Sequence, residues 1–112
     1  MSNIKNKFVL VDNEIIGGRV VFHKDIHKSP IGGGWWYYHR GQNKLILYGS
    51  SSDFGPVSKQ QVEKAELGGS FRSLTDVEVI FDEGSNLEVL NILMDHLGEE
   101  EGRRCVNECD WI

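Results

Sequence analysis

The residues that most suggest a functional site form a loop of small residues directly after a strand-like run. Residues 45–48 (LILY) are apolar, and residues 49–56 (GSSSDFGP) follow them directly. A loop that ends a strand in glycine and serine can present successive backbone N–H groups to an anion such as phosphate. The sequence leaves a second interpretation open, in which the same residues form an ordinary turn that leads into a helix.

Two metal-binding signatures also occur, and neighbouring residues argue against both. Residues 53–55 (DFG) match the magnesium-binding triplet of protein kinases, but a kinase also needs a glycine-rich loop and a His-Arg-Asp loop in a much larger domain. His23 and His27 have the i, i+4 spacing of zinc ligands on a helix, but Lys24 stands where that signature requires glutamate. We therefore predict no metal site and no cofactor.

The cysteines Cys105 and Cys109 lie four residues apart, so that a helix would place both on one face. No further soft metal ligand is near them in the sequence, and a disulfide across one helical turn is strained. We predict reduced cysteines that serve packing. The alternative is a contact between two copies of the chain through this end, including Trp111, which would make a homodimer.

Size and charge limit the classes of function. A length of 112 residues suits a single domain, residues 1–112. The net charge of −5, without a Lys/Arg stripe, argues against nucleic-acid binding. No segment reaches the roughly 18 consecutive apolar residues of a membrane span. The first residues lack the apolar stretch of a secretory signal. We expect a cytoplasmic protein that binds neither nucleic acid nor membrane.

Apolar and aromatic runs of strand length predict a series of β-strands. The predicted strands are residues 8–11, 14–16, 35–38, 45–48 and 77–81. Gly17 and Gly18 predict a bend or bulge after the second of these. Residues 41–43 (GQN) supply a turn that joins the third and fourth strands in a hairpin.

Two helices have recognisable ends. Ser58 starts a capping box, and glycines at residues 68–69 end that helix. Asn86 is the predicted cap of a second helix over residues 87–97, which a charged, solvated connector at residues 99–104 follows. The order of these elements predicts an α/β (α+β) fold in which a mixed β-sheet is flanked by helices in a single domain.

Four segments, taken in order, match the pattern of one family. The triple glycine at residues 32–34 is followed after thirteen residues by YGSSSDFGP at residues 48–56. Residues 7–11 (KFVLV) form an apolar strand that opens with lysine, and residues 22–26 read FHKDI. Together these segments resemble the Janus, or phosphohistidine phosphatase, family. The resemblance covers a core over residues 7–84 and implies the fold of that family for this core. Residues 85–112, predicted as a C-terminal helix and tail, extend past the end of the resemblance.

The resemblance implies a metal-independent hydrolase that acts on phosphohistidine. His23 matches the catalytic base, or the nucleophile on some accounts, and Lys7 matches the cation that holds the phosphoryl group. Ser51, together with the backbone N–H groups of Ser51, Ser52 and Asp53, matches the loop that binds the phosphate oxygens. The implied partner is a phosphohistidine-bearing protein or a small phosphoramidate.

The same roles are reasonable on chemical grounds. A phosphoramidate bond is labile, so its hydrolysis needs an aligned water molecule and charge neutralisation more than a metal. A histidine titrates near neutral pH and can accept the proton of that water. A lysine and a ring of backbone amides can stabilise the charge on the phosphoryl oxygens. The alternative is that both residues are structural. His23 would then be a packed histidine, and Lys7 a charge that flanks a strand.

Two residues depart from the family pattern and define a second hypothesis. Trp35 stands where characterised relatives carry an arginine, and Asp53 stands where they carry a small residue. A carboxylate about 4 Å from a singly charged phosphate would cost roughly 4 kcal/mol at an effective dielectric constant near 20. The alternative is therefore a non-catalytic binding module of the same fold whose altered loop no longer holds phosphate. The direction in which Asp53 points bears directly on this choice.

Overall fold

The computed structural model describes residues 4–108, in which a six-stranded sheet is accompanied by three α-helices. The strands are β1 Lys5–Val11, β2 Glu14–Val20, β3 Gly32–His39, β4 Lys44–Tyr48, β5 Glu66–Gly68 and β6 Glu78–Phe81. The helices are α1 Lys59–Lys64, α2 Val89–Leu97 and α3 Glu99–Glu108. Short 3₁₀ turns cover His23–Asp25, Gly69–Ser73 and Asn86–Glu88.

The sheet has the strand order β5-β2-β1-β3-β4-β6. The four central strands pair antiparallel, whereas each edge strand, β5 and β6, runs parallel to its neighbour. The predicted mixed sheet flanked by helices is therefore confirmed, and residues 4–108 form one compact α+β domain with a radius of gyration of 13.0 Å. Within those residues, no helix has the combined length and apolar character that crossing a bilayer requires.

The strands β1 and β2 form a tight hairpin. Asp12 and Asn13 adopt positive φ angles of 48° and 65°, as a two-residue hairpin turn requires. The register of β2 against β1 continues unbroken through both glycines, so the predicted bend or bulge is absent. Gly17 instead makes room for an aromatic ring, because an added Cβ there would lie 2.1 Å from Cζ of Phe71.

Two apolar clusters cover opposite faces of the sheet. Leu45 and Leu47 of β4 belong to one cluster, Ile46 and Tyr48 belong to the other, and neighbouring residues of a strand point to opposite faces. The first cluster is completed by α1 and the Gly69–Ser73 turn, and the second by α2 and α3. The antiparallel centre of the sheet is thus shared by two cores.

Two predicted helix boundaries need correction. The capping box is present, since Ser58 Oγ accepts from the N–H of Gln61 at 3.1 Å, but α1 ends at Lys64. Residues Glu66–Gly68, predicted as helix, instead form β5 because they can pair with β2. The cap before α2 is Ser85 rather than Asn86, because Ser85 Oγ accepts from the N–H of Leu87 at 3.1 Å.

The predicted connector at residues 99–104 is wrong, because these residues begin the helix α3. Three glutamates open the helix, where the helix dipole favours negative charge, and Arg104 pairs with Glu101 and Glu108 one turn away on either side. Cys105 is buried in the second cluster, in agreement with its predicted packing role. Cys109 and Trp111 lie outside the described residues.

Candidate functional site

The candidate site is built on the part of β3 where three glycines pass beside β1 and the loop after β4. An added Cβ at Gly32, Gly33 or Gly34 would lie 2.6, 2.4 or 2.5 Å from a backbone oxygen of a neighbouring segment. A side chain at any of the three would push these segments apart, so glycine is needed for the close approach. The triple glycine therefore brings β1, β3 and the loop together.

His23 lies over these glycines. Its side chain is buried, Nε2 is 2.8 Å from the carbonyl oxygen of Gly34, and ring Cδ2 would lie 3.1 Å from a Cβ added at Gly33. Because a carbonyl oxygen only accepts, Nε2 carries the proton of the neutral ring and donates it. Nδ1 then has a free lone pair, and no hydrogen bond to it is found among residues 4–108. This tautomer suits a general base that acts through Nδ1.

The pKa of His23 is lowered from its ordinary value of 6.5, chiefly because burial disfavours the charged ring. The bond to Gly34 and the negative charge of Asp53 oppose this lowering, whereas the positive charge of Lys7 adds to it. The ring is consequently neutral at pH 7, which is the form that can accept a proton.

Lys7 lies on β1 directly opposite Trp35 in the register of the two strands. Its ammonium donates to the carbonyl oxygen of Val21 and lies 5.0 Å from the centre of the Trp35 ring. The Trp35 ring in turn meets the His23 ring edge-on, with 6.4 Å between the ring centres. Lys7, Trp35 and His23 thus form a contiguous group, which two strands and a 3₁₀ turn hold in place.

The serine loop docks against the same glycines. The N–H of Ser51 donates to the carbonyl oxygen of Gly33 at 3.0 Å, and the N–H of Gly33 donates to the carbonyl oxygen of Gly55 at 3.0 Å. Ser51 is 2 % exposed, and its Oγ accepts from the N–H of Phe54 at 3.2 Å. Ser51 therefore stabilises the loop through its own N–H and Oγ.

The exposed tip of the loop holds the groups that remain available to a ligand. Ser52 and Asp53 are both exposed, and their N–H groups have no backbone acceptor among residues 4–108. The Asp53 carboxylate forms no ion pair and no hydrogen bond within the same range. Of the predicted phosphate-binding residues, Ser52 and Asp53 thus offer free N–H groups, whereas Ser51 offers none.

The Asp53 carboxylate is in electrostatic reach of the predicted catalytic residues. Burial is the main cause that lowers the pKa of Lys7, and the charges of Asp53 and Asp25 oppose it. Asp53 acts in the same sense on the pKa of His23. Asp53 therefore adds negative charge to the electrostatic environment of both Lys7 and His23.

Trp35 is the residue of the site that sequence reasoning did not assign. It packs against the second apolar cluster and also contacts both Lys7 and His23. Its Nε1 is buried without a hydrogen-bond partner among residues 4–108. The signal in the sequence was its position directly after the triple glycine, which puts it opposite Lys7 once β1 and β3 pair.

A second polar cluster, formed by His39, Glu101 and Cys105, contains metal-ligating residue types. Their ligand atoms lie within 4.8 Å of one another. The N–H of Gln42 donates to His39 Nδ1 at 2.9 Å, so Nε2 carries the proton and donates to Glu101 at 2.6 Å. A metal on Nε2 would have to displace this proton beside the Arg104 guanidinium. The cluster is better explained as a polar link that ties α3 to β3.

That link has an electrostatic consequence for Glu101. Hydrogen bonds from Arg104 and from His39 lower the pKa of its carboxyl from 4.5 to about 2. Glu101 therefore stays ionised through ordinary acidic conditions and keeps both partners. The cluster contributes to the attachment of α3 and has no contact with Lys7 or His23.

A groove of about 430 Å³ lies on the other side of the serine loop. It is lined by residues from the ends of β4 and β6, including Gly49, Ser50, Glu83 and Ser85, and by neither Lys7 nor His23. Lys7 and His23 therefore lie outside this groove.

Comparison with known proteins does not assign the chain to a family. No family model, no curated protein and no solved structure matches it.

Proposed function

We propose that this protein is a phosphohistidine phosphatase-like hydrolase with the fold of the Janus family, which cleaves a phosphoramidate without a metal. The observation that carries the proposal is that His23 and the serine loop bind the adjacent residues Gly34 and Gly33, while Lys7 lies opposite the next residue of β3, Trp35. These segments are far apart in the sequence, and each has a chemical role in phosphoryl transfer. The substrate is phosphohistidine in a protein or a small phosphoramidate.

The geometry of the group supports a role for each residue. His23 accepts a proton from water through Nδ1, because its Nε2 proton is held by Gly34. Lys7 and the free N–H groups of Ser52 and Asp53 stabilise the charge on the phosphoryl oxygens. The water oxygen bonds to phosphorus as the P–N bond breaks, and the electron pair of that bond goes to the departing nitrogen.

A second candidate function is a non-catalytic binding module, and one observation favours it. Ser51 is buried, its N–H donates to Gly33 and its Oγ accepts from Phe54, so only its buried hydroxyl proton remains as a donor. Asp53 adds negative charge beside Lys7. A site of this kind could hold a ligand without hydrolysing it.

The test is phosphate release from a peptide phosphorylated on histidine, in the presence and absence of a chelator. We expect turnover that the chelator does not change and that falls about 100-fold in His23→Ala, which is the usual scale of a general base. His27→Ala is the matched control, because this exposed histidine lies one turn further along the same segment and we expect full activity.

Three outcomes separate the two functions. Absence of phosphate release from the wild-type protein, or full activity in a folded His23→Ala variant, would exclude the hydrolase. If phosphate release is absent and imidazolium chloride, but not inorganic phosphate, shifts the NMR signals of the serine loop amides, the binding module is the better description. Loss of activity in His27→Ala would show that the effect of His23 is not specific.

A further inference from the structure

We propose that the free edge of β6, together with the two grooves beside it, binds an extended basic peptide that adds to the sheet as a further strand. The partner is a protein segment in which apolar side chains alternate with lysine or arginine. This binding site is separate from the proposed hydrolase site, because neither Lys7 nor His23 lines either groove.

The first support is the backbone of β6, which lies at the end of the sheet and pairs with β4 alone among residues 4–108. The N–H groups of Glu78 and Asp82 donate to carbonyl oxygens on the β4 side, at 3.0 and 2.9 Å. Neighbouring residues of a strand direct their backbone groups to opposite sides. The N–H and C=O groups of Val79 and Phe81 therefore point away from β4, where an added strand would meet them.

The second support is the composition of this edge. The other edge strand, β5, has three residues, ends in glycine and runs directly into a 3₁₀ turn. By contrast, Val79, Ile80 and Phe81 of β6 are strong strand formers, and β6 contains no proline, glycine or lysine that would discourage pairing. Val79 is 38 % exposed although it is apolar. An edge of this kind is a template for another strand.

The third support is the pair of grooves. Val79 and Phe81 line a groove of about 310 Å³, whose other wall includes Val62 and Ala65 of α1. Phe81 also lines the groove of about 430 Å³ beside the serine loop. A strand added to β6 would place every second side chain on this face, next to Val79 and Phe81. The backbone of the peptide would then supply affinity, and apolar side chains in the grooves would supply specificity.

The charges around this edge favour a basic partner. Glu63 and Glu83 line the grooves, Glu78 opens β6, and none of the three forms an ion pair among residues 4–108. Two cations are close. Lys59 lines the first groove, and Lys44 is opposite Glu78 in the strand register, but its ammonium donates to a carbonyl oxygen of α2 at 2.9 Å. The carboxylates leave an excess of negative charge that lysine or arginine would complement.

The same charges argue against a second copy of this chain as the partner. Pairing two β6 edges would bring Glu78 and Glu83 of one copy close to the acidic residues of the other. Like charges across a strand pair are destabilising. A basic segment of another protein avoids this repulsion.

Amide hydrogen exchange with a synthetic peptide tests the inference. The probe is acetyl-Lys-Val-Lys-Phe-Lys-Val amide, and the control peptide has glutamate in place of each lysine. We expect the lysine peptide to slow exchange of the N–H groups of Val79 and Phe81 about tenfold or more, because it supplies their missing acceptors. The N–H of Glu78 is already bonded on the β4 side and should change little. The glutamate peptide should have no effect.

Two further peptides test strand addition without altering the protein. They carry the lysine sequence with methyl groups on alternate backbone nitrogens, one set in each peptide. An added strand directs only one of these sets towards β6. We therefore expect one methylated peptide to bind like the parent and the other to lose binding, whereas equal affinities would overturn the inference.

A charge variant tests the choice of partner. We expect Glu78→Gln combined with Glu83→Gln to weaken binding of the lysine peptide about fivefold or more in an NMR titration. Glu100→Gln is the matched control, because it removes a carboxylate from an exposed position on α3, and its affinity should equal that of the wild type.

Four results would each overturn the inference. The first is no binding of the lysine peptide, and the second is equal binding of the lysine and glutamate peptides. The third is binding that leaves exchange at Val79 and Phe81 unchanged. The fourth is slow exchange at these residues without peptide that increases with protein concentration, because a second copy of the chain would then occupy the edge.

Discussion

At the scale of single residues, His23 combines burial with a titratable ring. Its Nε2 donates a hydrogen bond to the carbonyl oxygen of Gly34. Its pKa lies below the ordinary value of 6.5 because the charged ring is poorly solvated. The unfolded chain therefore binds a proton at a higher pH than the folded protein does. Between these two pKa values the unfolded state holds more protons, so the free energy of unfolding rises with pH.

We predict that the wild-type protein loses stability as the pH falls from 7 to 5, and that His23→Gln flattens this part of the curve. The contribution of the neutral ring is complete above pH 6.5 and is lost as the pH falls through the lowered pKa of the folded state. Urea unfolding at a series of pH values measures the effect. His27→Gln is the control and should follow the wild type; parallel curves for wild type and His23→Gln would contradict the prediction.

Also at the residue scale, the serine loop is shaped by backbone contacts rather than by the side chain at its tip. Its hydrogen bonds run through Ser51, Gly33 and Gly55. Asp53 at the tip adds negative charge to the electrostatic environment of Lys7. The small residues of the motif therefore account for the shape of the loop, whereas position 53 accounts for its charge.

At the scale of elements, the contact of α3 with α2 depends on Gly102. An added Cβ at Gly102 would lie 2.5 Å from the backbone nitrogen of Met94 and 2.8 Å from the backbone carbon of Leu93. Backbone atoms of a packed helix cannot move aside as a flexible side chain can. The two helices are thus held closer together than any other residue at position 102 would permit.

We predict that Gly102→Ala destabilises the protein by about 1–2 kcal/mol. Overpacking costs about 1–3 kcal/mol, and the better helix propensity of alanine recovers part of this, up to about 1 kcal/mol. Chemical denaturation gives the difference directly. Asn107→Ala, at an exposed position of α3, keeps the propensity gain without the clash and should be neutral or slightly stabilising. A stabilised Gly102→Ala protein would show that the helices can separate freely.

At the scale of the whole molecule, two cores share one sheet. Leu45 of β4 lies in the cluster on the α1 face and Leu93 of α2 lies in the cluster on the α2–α3 face; both are 0 % exposed. Strands β3 and β4 contribute side chains to both clusters. Loss of packing on one face therefore loosens strands on which the other face depends.

We predict that Leu45→Ala and Leu93→Ala each lower the free energy of unfolding by about 2–5 kcal/mol and leave a single transition. Fluorescence of Trp36, which packs on the α1 face, and far-UV circular dichroism should give the same midpoint in both variants. If Leu93→Ala melted the helices while the Trp36 signal stayed native, the two faces would be independent.

Much of the fold could be predicted because its signals are local. The apolar run in β4 and the aromatic run in β3 have strand length and alternate between the two faces of the sheet. The capping box at Ser58 needs only residues within one turn of each other. The charged start of α3 was predicted as a connector because the contacts that stabilise it come from distant segments. Gly102 packs against α2, and Glu101 accepts a hydrogen bond from His39.

The sequence by itself determined the positions of the central strands, the turn residues and the residue types that can handle a phosphoryl group. The tertiary structure decided which of these residues meet. Lys7 faces Trp35 only through the register of β1 with β3, and the serine loop and His23 come close only because they bind the adjacent residues Gly33 and Gly34. These contacts depend on strand pairing and close packing over long separations, which no local pattern encodes.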